Sequence, residues 1–127
     1  MRRLIATEAP WAARVGYSRA VRVGDVIHVS GTVAVDEDGR IAHPGDPYLQ
    51  ARRALEIIVD ALARAGARPE HVVRTRMYVA DAERWEEVAR AHGEVFADVR
   101  PATTLVAVAG FVDPAVLVEI EAEAIVD

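Results

Sequence analysis

The segment LVEIEAEAIV at residues 117–126 alternates apolar and acidic residues along its whole length. Such period-two alternation is typical of a β-strand with two unlike faces. One face is apolar and belongs against a core, whereas the other carries Glu119, Glu121 and Glu123. The segment therefore predicts a strand in a sheet with one buried face. The three carboxylates on the other face require water, arginine partners or a chemical role.

Patterns earlier in the chain predict further strands and two helices. Asp46 is a suitable N-cap and Pro47 a suitable first-turn residue, so one helix begins there, and Asp81 caps a second helix. Apolar residues at helical spacing follow each cap. The predicted helices span about 47–65 and 82–98, and the predicted strands form hairpins within 18–31 and 33–42 and single strands at 71–81, 103–110 and 116–126.

This order of elements predicts an α+β fold with one uncovered sheet face. Strand–helix–strand units give parallel strand pairs with right-handed crossovers, which put both helices on the same side of a single sheet. In the strand 103–110 the outward residues are apolar in either orientation, as Leu105 with Ala107 or as Val106 with Val108. A bare apolar face implies a partner. We therefore expect a homo-oligomer of one domain, residues 1–127, with residues 1–14 as an N-terminal arm.

Composition argues against several classes of function. The chain has neither Cys nor Lys, which excludes disulfides, thiolate nucleophiles and lysine Schiff bases. A net charge of −5 without a basic block disfavours nucleic acid. No histidine has metal-site spacing and no GxSxG surrounds a serine, so we expect no metal site and no serine nucleophile of that kind. Lacking an apolar signal region or a membrane-length apolar run, the chain is expected to be cytoplasmic, with no membrane partner.

Three segments in order resemble the Rid family of reactive-intermediate deaminases, also called the YjgF or L-PSP family. They are VGYSRAVRVGDVIHVSG, QARRALEIIVDALARAGARPEHVVRTRMYV and RPATTLVAV with LVEIEAEAI, and together they run from about residue 15 to 126. The resemblance implies a chorismate-mutase-like sandwich, a mixed β-sheet with two helices packed on one face. It also implies a homotrimer with ligand clefts between subunits, and cofactor-free hydrolysis of imines or enamines to a 2-keto acid and ammonia.

The resemblance also implies individual site residues. Tyr17 matches the tyrosine of the family segment GPYSQ, which reads GYSR here. Ser30 and Gly31 match the SGQ turn, with Thr32 in place of the glutamine. Glu119 matches the glutamate of VEIEA, which implies that it helps to place water or a proton at the imine and lines a cleft near a subunit boundary.

One departure affects the expected activity. The family deaminases carry PAR[ST], whose arginine holds the substrate carboxylate, but this chain reads RPATT and has Thr103 at that position. A hydroxyl has no charge, and losing a charge-assisted bidentate pair costs about 1.5–3 kcal/mol of binding. Arg100, expected in extended geometry before Pro101, and Arg76 are candidate replacements. Alternatively, these arginines form ion pairs with the acidic face of the last strand.

Three functions remain open at this point. The first is a divergent enzyme acting on a small imine, enamine or related C–N compound, and the second is a non-catalytic ligand-binding or regulatory trimer. The third, an endoribonuclease or translation inhibitor, is disfavoured by the acidic charge balance. Glu119 is the candidate catalytic residue, with Thr103 expected nearby. Candidates to bind a small, anionic ligand are Tyr17, Ser30, Gly31, Thr103, Leu105, Arg100 and Arg76.

Overall fold

The computed structural model describes residues 1–127 and contains six strands and three α-helices, with two short 3₁₀ turns at Pro69–His71 and Ala82–Arg84. The elements are β1 (Arg2–Ile5), α1 (Trp11–Val15), β2 (Ala20–Val23), β3 (Val26–Thr32), α2 (Pro47–Arg64), β4 (Val72–Val79), α3 (Trp85–Phe96), β5 (Ala102–Ala107) and β6 (Val118–Ile125).

All six strands form one mixed sheet in the order β1-β2-β3-β6-β4-β5. Only β4 and β5 pair in parallel, with α3 as their connection, and every other pairing is antiparallel. The last strand, β6, lies between β3 and β4 and pairs with both. The expected parallel pairing across α2 is therefore wrong, because an antiparallel strand from the end of the chain occupies the position between the two strands that α2 connects.

The first long helix begins where its cap predicts, and the second begins one 3₁₀ turn later. The Asp46 carboxylate accepts a hydrogen bond of 3.0 Å from the backbone N–H of Leu49, and Pro47 occupies the first turn of α2. Asp81 accepts from the N–H of Glu83 at 2.9 Å, but this cap opens a 3₁₀ turn, and α3 itself starts at Trp85. The first predicted helix is confirmed, and the second is confirmed with a later start and an end at Phe96.

The core lies between α2, α3 and one face of the sheet. Residues at helical spacing on α2 and α3 pack against every second residue of β3, β4 and β6, as the alternation in 117–126 predicts. Burying each large side chain of this kind stabilises the fold by about 1.5–3 kcal/mol. The largest fully buried apolar side chains are Phe96, Ile27, Leu55, Ile58, Leu62, Ile120, Val79, Val88 and Val118.

Three local expectations need correction. In β4 the alternation of the predicted strand 71–81 is interrupted, because a register shift between Val72 and Arg74 buries Val72 and leaves Val73 exposed. The predicted hairpin at 33–42 contains only an isolated bridge between Val35 and Ile41. Residues 1–14 include the strand β1, which pairs with β2, so this segment is part of the sheet rather than a separate arm.

The sheet face away from the helices, called the open face below, is polar at its centre. The three glutamates of β6 lie there beside Arg76 and Tyr78 of β4. Leu105 pairs in register with the buried Met77 and therefore lies on the helix side. The expected bare apolar face is thus wrong for the centre of the sheet. Exposed apolar residues flank it instead, namely Leu4, Val23, Val26, Ile125 and Val106.

Candidate functional site

Glu119 lies near the middle of the open face, on a strand that is hydrogen-bonded on both sides. Its carboxyl group packs directly over Gly31 of β3: a Cβ atom built on Gly31 would stand 2.9 Å from Glu119 Cδ and 3.2 Å from each carboxylate oxygen. A register shift between Val29 and Thr32 brings the backbone of β3 to this position. The glycine is therefore needed at this point because any side chain would displace the carboxylate.

The surroundings of Glu119 favour its protonated form. Burial raises the pKa of the Glu119 carboxyl, the negative charge of Glu121 raises it further, and the positive charge of Arg19 opposes both. A partly buried carboxyl with a raised pKa can take up and release a proton closer to neutral pH than an exposed glutamate. Glu119 thus has the electrostatic properties of an acid–base residue.

Arg19 is the one residue of this site that sequence reasoning missed. Its side chain is only 7% exposed. Nη1 donates to Thr32 Oγ1 at 2.8 Å and to the carbonyl oxygen of Gly31 at 3.2 Å. A signal was available in the sequence. Arg19 stands in place of the glutamine of GPYSQ and Thr32 in place of the glutamine of SGQ, and the two side chains are hydrogen-bonded to each other.

Tyr17 and Ser30 complete the group around Glu119. The Arg19 guanidinium lies 5.7 Å from the centre of the Tyr17 ring. Ser30 Oγ donates to the carbonyl oxygen of Ser18 at 2.7 Å, and the Ser30 N–H donates to the carbonyl oxygen of Arg19 at 2.9 Å. The Ser30 side chain therefore fixes the segment that carries Tyr17 and Arg19. The structure brings together four of the candidates, Tyr17, Ser30, Gly31 and Glu119.

Thr103 and Leu105 lie on β5, away from the group around Glu119. Thr103 pairs in register with the buried Thr75, so its side chain is on the helix side of β5, across the sheet from Glu119. Thr75 Oγ1 donates to Thr103 Oγ1 at 2.6 Å and also lies 2.8 Å from His92 Nε2. Burial lowers the pKa of His92. Within one chain, the expectation that Thr103 lies near Glu119 is not met.

Arg76 belongs to an ion-pair network. Its Nη1 lies 2.9 Å from a carboxylate oxygen of Glu123 and 3.3 Å from one of Glu121. The Tyr78 hydroxyl donates to the same Glu121 oxygen at 2.9 Å. The hydrogen bond that Arg76 donates to Glu123 is the main reason that the pKa of Arg76 is raised. Two of the three glutamates therefore have an arginine partner, as the ion-pair interpretation predicted, and Glu119 does not.

Arg100 differs from its expected conformation. It has a positive φ of 58°, whereas a residue before proline was expected to be extended. Its backbone N–H donates to the carbonyl oxygen of Phe96 at 2.8 Å, so the left-handed conformation ends α3 and outweighs the preference imposed by Pro101. The residue is exposed and its side chain makes no hydrogen bond, so nothing in the chain directs it towards Glu119.

The structure contains neither a cluster of metal ligands nor a helix of membrane-spanning character. No cluster of three or more His, Asp or Glu residues is arranged to hold a metal ion. No helix combines the length and apolarity that crossing a membrane requires.

The chain is similar to known proteins over nearly its full length. The sequence model described as Endoribonuclease L-PSP matches residues 7–126. An uncharacterized protein of Streptomyces coelicolor is 43% identical over 122 residues, 96% of this chain and 90% of that protein. The 3-aminoacrylate deaminase RutC of Acinetobacter baylyi is 32% identical over 104 residues, 82% of each. The crystal structure of Rv2704 from Mycobacterium tuberculosis, a YjgF/YER057c/UK114 family member, is 41% identical with a TM-score of 0.90, covering 99% of this chain and 100% of that one. This likeness confirms the expected fold.

Proposed function

Since this chain belongs to the endoribonuclease L-PSP family, also called the YjgF family, we propose that it hydrolyses a small imine or enamine and releases ammonia. The observation that carries this proposal is the state of Glu119. It is a partly buried carboxyl with a raised pKa, held over Gly31 near Arg19 and without an arginine ion pair. A relative named 3-aminoacrylate deaminase supports the same class of reaction.

The reaction requires one water molecule and no cofactor. Water adds to the carbon of the C=N bond, and the resulting carbinolamine loses ammonia to give a ketone. In ionised form Glu119 accepts a proton from the attacking water, and in protonated form it returns that proton to the departing nitrogen. An enamine first takes up a proton at its β-carbon and loses one from its nitrogen, which gives the imine. A carboxyl whose pKa lies above its usual value suits both steps.

The complete cleft, in this proposal, forms between subunits of a homotrimer. Within one chain Thr103 lies across the sheet from Glu119, on the edge strand β5, which pairs only with β4. An unpaired edge strand is available to another chain. The neighbouring subunit would then bring Thr103 and Leu105 of its own β5 to the Glu119 group, as the family resemblance implies.

A non-catalytic trimer that binds a small ligand is the second candidate. It is favoured by Thr103, because a neutral hydroxyl does not hold a carboxylate as an arginine does. Nuclease activity, which the family's description suggests, is opposed by the net charge of −5. The two leading candidates differ in whether the ligand is turned over.

A coupled assay tests the proposal. A pyridoxal-phosphate-dependent dehydratase acting on serine or threonine generates the unstable enamine and imine, which semicarbazide traps as the semicarbazone. We expect this protein to lower the yield of semicarbazone in proportion to its concentration, and the Glu119→Gln variant to have no effect. Trapping that is unchanged by the wild-type protein would favour the non-catalytic candidate.

A further inference from the structure

Arg19 carries a buried positive charge that has no counter-ion in the chain. The residue is 7% exposed, and none of the ion pairs of the structure includes it. Removing a charge from water without a paired opposite charge is costly, so buried arginines are normally matched by carboxylates or phosphates. Burial accordingly lowers the pKa of Arg19, while the nearby Tyr17 hydroxyl and Glu119 only partly offset that effect. No carboxylate of the chain forms an ion pair with the Arg19 guanidinium.

The hydrogen-bonding pattern of Arg19 shows where an anion fits. Nη1 is occupied by Thr32 Oγ1 and the Gly31 carbonyl oxygen. Nε is enclosed and has no partner, and it is the only buried side-chain nitrogen or oxygen of the chain in that condition. Nη2 makes no hydrogen bond within the chain either, and it is not enclosed. Nε and Nη2 lie on the same edge of the guanidinium, which matches the two oxygens of a carboxylate.

We propose that Arg19 binds the carboxylate of the ligand along this edge, first at Nη2 and then at Nε once the Tyr17 ring beside the guanidinium shifts, and thereby supplies the positive charge that position 103 lacks. This inference rests on the proposed function, because it names the group by which the substrate of that site is held. The substrate class is a small 2-imino or 3-amino-2-enoic acid, and the product is the corresponding keto acid. The other arginine candidates are less suitable, because Arg76 is engaged by two glutamates and Arg100 is on the exposed end of α3.

The position of Arg19 also explains how the substrate would face Glu119. Both side chains flank Gly31: one is hydrogen-bonded to its carbonyl oxygen, and the other packs over its Cα. In a 2-imino acid the carboxylate is bonded directly to the imine carbon. A carboxylate held by Arg19 therefore leaves the C=N bond within reach of the Glu119 carboxyl, where water must add.

Calorimetric titration with pyruvate tests this assignment without requiring turnover. The protein is titrated with pyruvate and, as an uncharged analogue, with pyruvamide. In Arg19→Gln, which introduces the residue of the GPYSQ segment, we expect pyruvate affinity to fall by about 10- to 100-fold, as for loss of a hydrogen-bonded charge pair. Pyruvamide binding should change little. Arg68→Gln, which removes an exposed arginine just before the 3₁₀ turn Pro69–His71, should bind pyruvate as the wild type does.

A measurement on the unaltered protein covers the case in which Arg19→Gln fails to fold. The ¹H–¹⁵N signal of Arg19 Nε should shift on pyruvate titration with the same apparent Kd as the calorimetry. A wild-type protein that does not bind pyruvate at millimolar concentration, or an Nε signal that stays unchanged at saturation, would overturn the assignment. So would equal affinity in the wild type and in a folded Arg19→Gln, in which case Arg19 serves only as a structural partner of Glu119.

The binding and turnover results separate this inference from the proposed function. If pyruvate binding depends on Arg19 but the protein hydrolyses no imine, the result supports carboxylate binding by Arg19 and contradicts the proposed deaminase function. If the wild type and Arg19→Gln hydrolyse the imine equally well, the result supports the deaminase function and contradicts carboxylate binding by Arg19.

Discussion

Gly31 and Glu119 contact each other across β3 and β6 so closely that no side chain fits between them. A Cβ atom at residue 31 would stand 2.9 Å from the carboxyl carbon of Glu119, below the distance that carbon atoms keep in folded proteins. The same glycine accepts a hydrogen bond from Arg19 through its carbonyl oxygen. A single residue without a side chain therefore sets the distance between the candidate acid–base group and the candidate carboxylate-binding group.

We predict that Gly31→Ala lowers any imine hydrolysis by displacing the Glu119 carboxyl, and that it destabilises the chain by at most about 1 kcal/mol, because the group that must move is the end of a flexible side chain. Gly93→Ala is the matched control, because a Cβ there meets no atom within 4 Å and the residue lies inside α3. That change should stabilise the protein by about 0.5–1 kcal/mol. Urea unfolding measures both, and a Gly31→Ala protein as stable and active as the wild type would contradict the contact.

Glu119→Gln is expected to make stability less dependent on pH. Because the pKa of Glu119 is raised in the fold, the folded chain holds a proton that the unfolded chain releases, and the free energy of unfolding falls as pH rises through that interval above 4.5. Glu119→Gln has no titrating carboxyl at this position and does not lose stability in this way. Its free energy of unfolding at neutral pH should equal that of the wild type or exceed it by less than about 1 kcal/mol, because the group is partly solvated.

The melting temperatures of the two proteins measured from pH 7.5 down to pH 4.5 check this. The difference in melting temperature between the two proteins should become smaller as the pH is lowered, because the wild-type carboxyl is then protonated. A Glu119→Gln protein that is clearly less stable at neutral pH would mean that Glu119 is the structural counter-ion of Arg19.

His92 should make the protein sensitive to mild acid. Its pKa is lowered by burial from the usual 6.5, so the fold holds it neutral while the unfolded chain takes up a proton. The free energy of unfolding should therefore decrease as pH falls below about 6.5. His92→Gln should lose this slope, whereas His43→Asn, at an exposed position with a positive φ, should retain it. Identical slopes in the wild type and His92→Gln would refute the assignment.

Thr103→Arg is predicted to change the rate of 2-iminopropionate or 2-iminobutyrate hydrolysis little, because Arg19 is proposed to supply the positive charge that holds the carboxylate. Thr75 keeps its contact with His92 when the Thr103 hydroxyl is lost. Thr103→Val is the control and should likewise leave the rate unchanged, and Glu119→Ala should abolish hydrolysis with or without Thr103→Arg. A clear gain in Thr103→Arg that Thr103→Val does not show would indicate that the wild-type site lacks a carboxylate-binding charge, and would contradict the role proposed for Arg19.

The protein is predicted to be a trimer in solution at micromolar concentration. The exposed apolar residues that flank the polar centre of the open face, Leu4, Val23, Val26, Ile125 and Val106, are the structural reason. Light scattering should report a mass of three chains, and a stable species at the single-chain mass of 13.8 kDa would refute this.

The alternation in 117–126 and the caps at Asp46 and Asp81 were sufficient to predict the last strand and both long helices, because each depends on neighbouring residues. The position of β6 between β3 and β4 was not predictable in this way, because it depends on pairing between distant segments. The same limit applies to Arg100, where helix termination and the following proline favour different conformations and only the packed structure decides between them.

The site was predictable only in part. Strand alternation was enough to place Glu119 on the open face, and the resemblance supplied Tyr17, Ser30 and Gly31. Arg19 was missed because its significance depends on burial and on a hydrogen bond to Thr32, thirteen residues away. Thr103 was expected near Glu119 at a subunit boundary, and since the register of β5 with β4 turns Thr103 of the same chain towards the helices, that expectation depends on a neighbouring subunit.

A crystal structure of the protein with bound pyruvate would test the central claim most directly. The account predicts one pyruvate per subunit, with its carboxylate oxygens hydrogen-bonded to Nε and Nη2 of Arg19 and its keto oxygen facing the Glu119 carboxyl over Gly31. It also predicts that β5 of a neighbouring subunit closes the cleft with Thr103. A pyruvate bound away from Arg19 and Glu119, with Arg19 instead in an ion pair with a carboxylate of the protein, would contradict it.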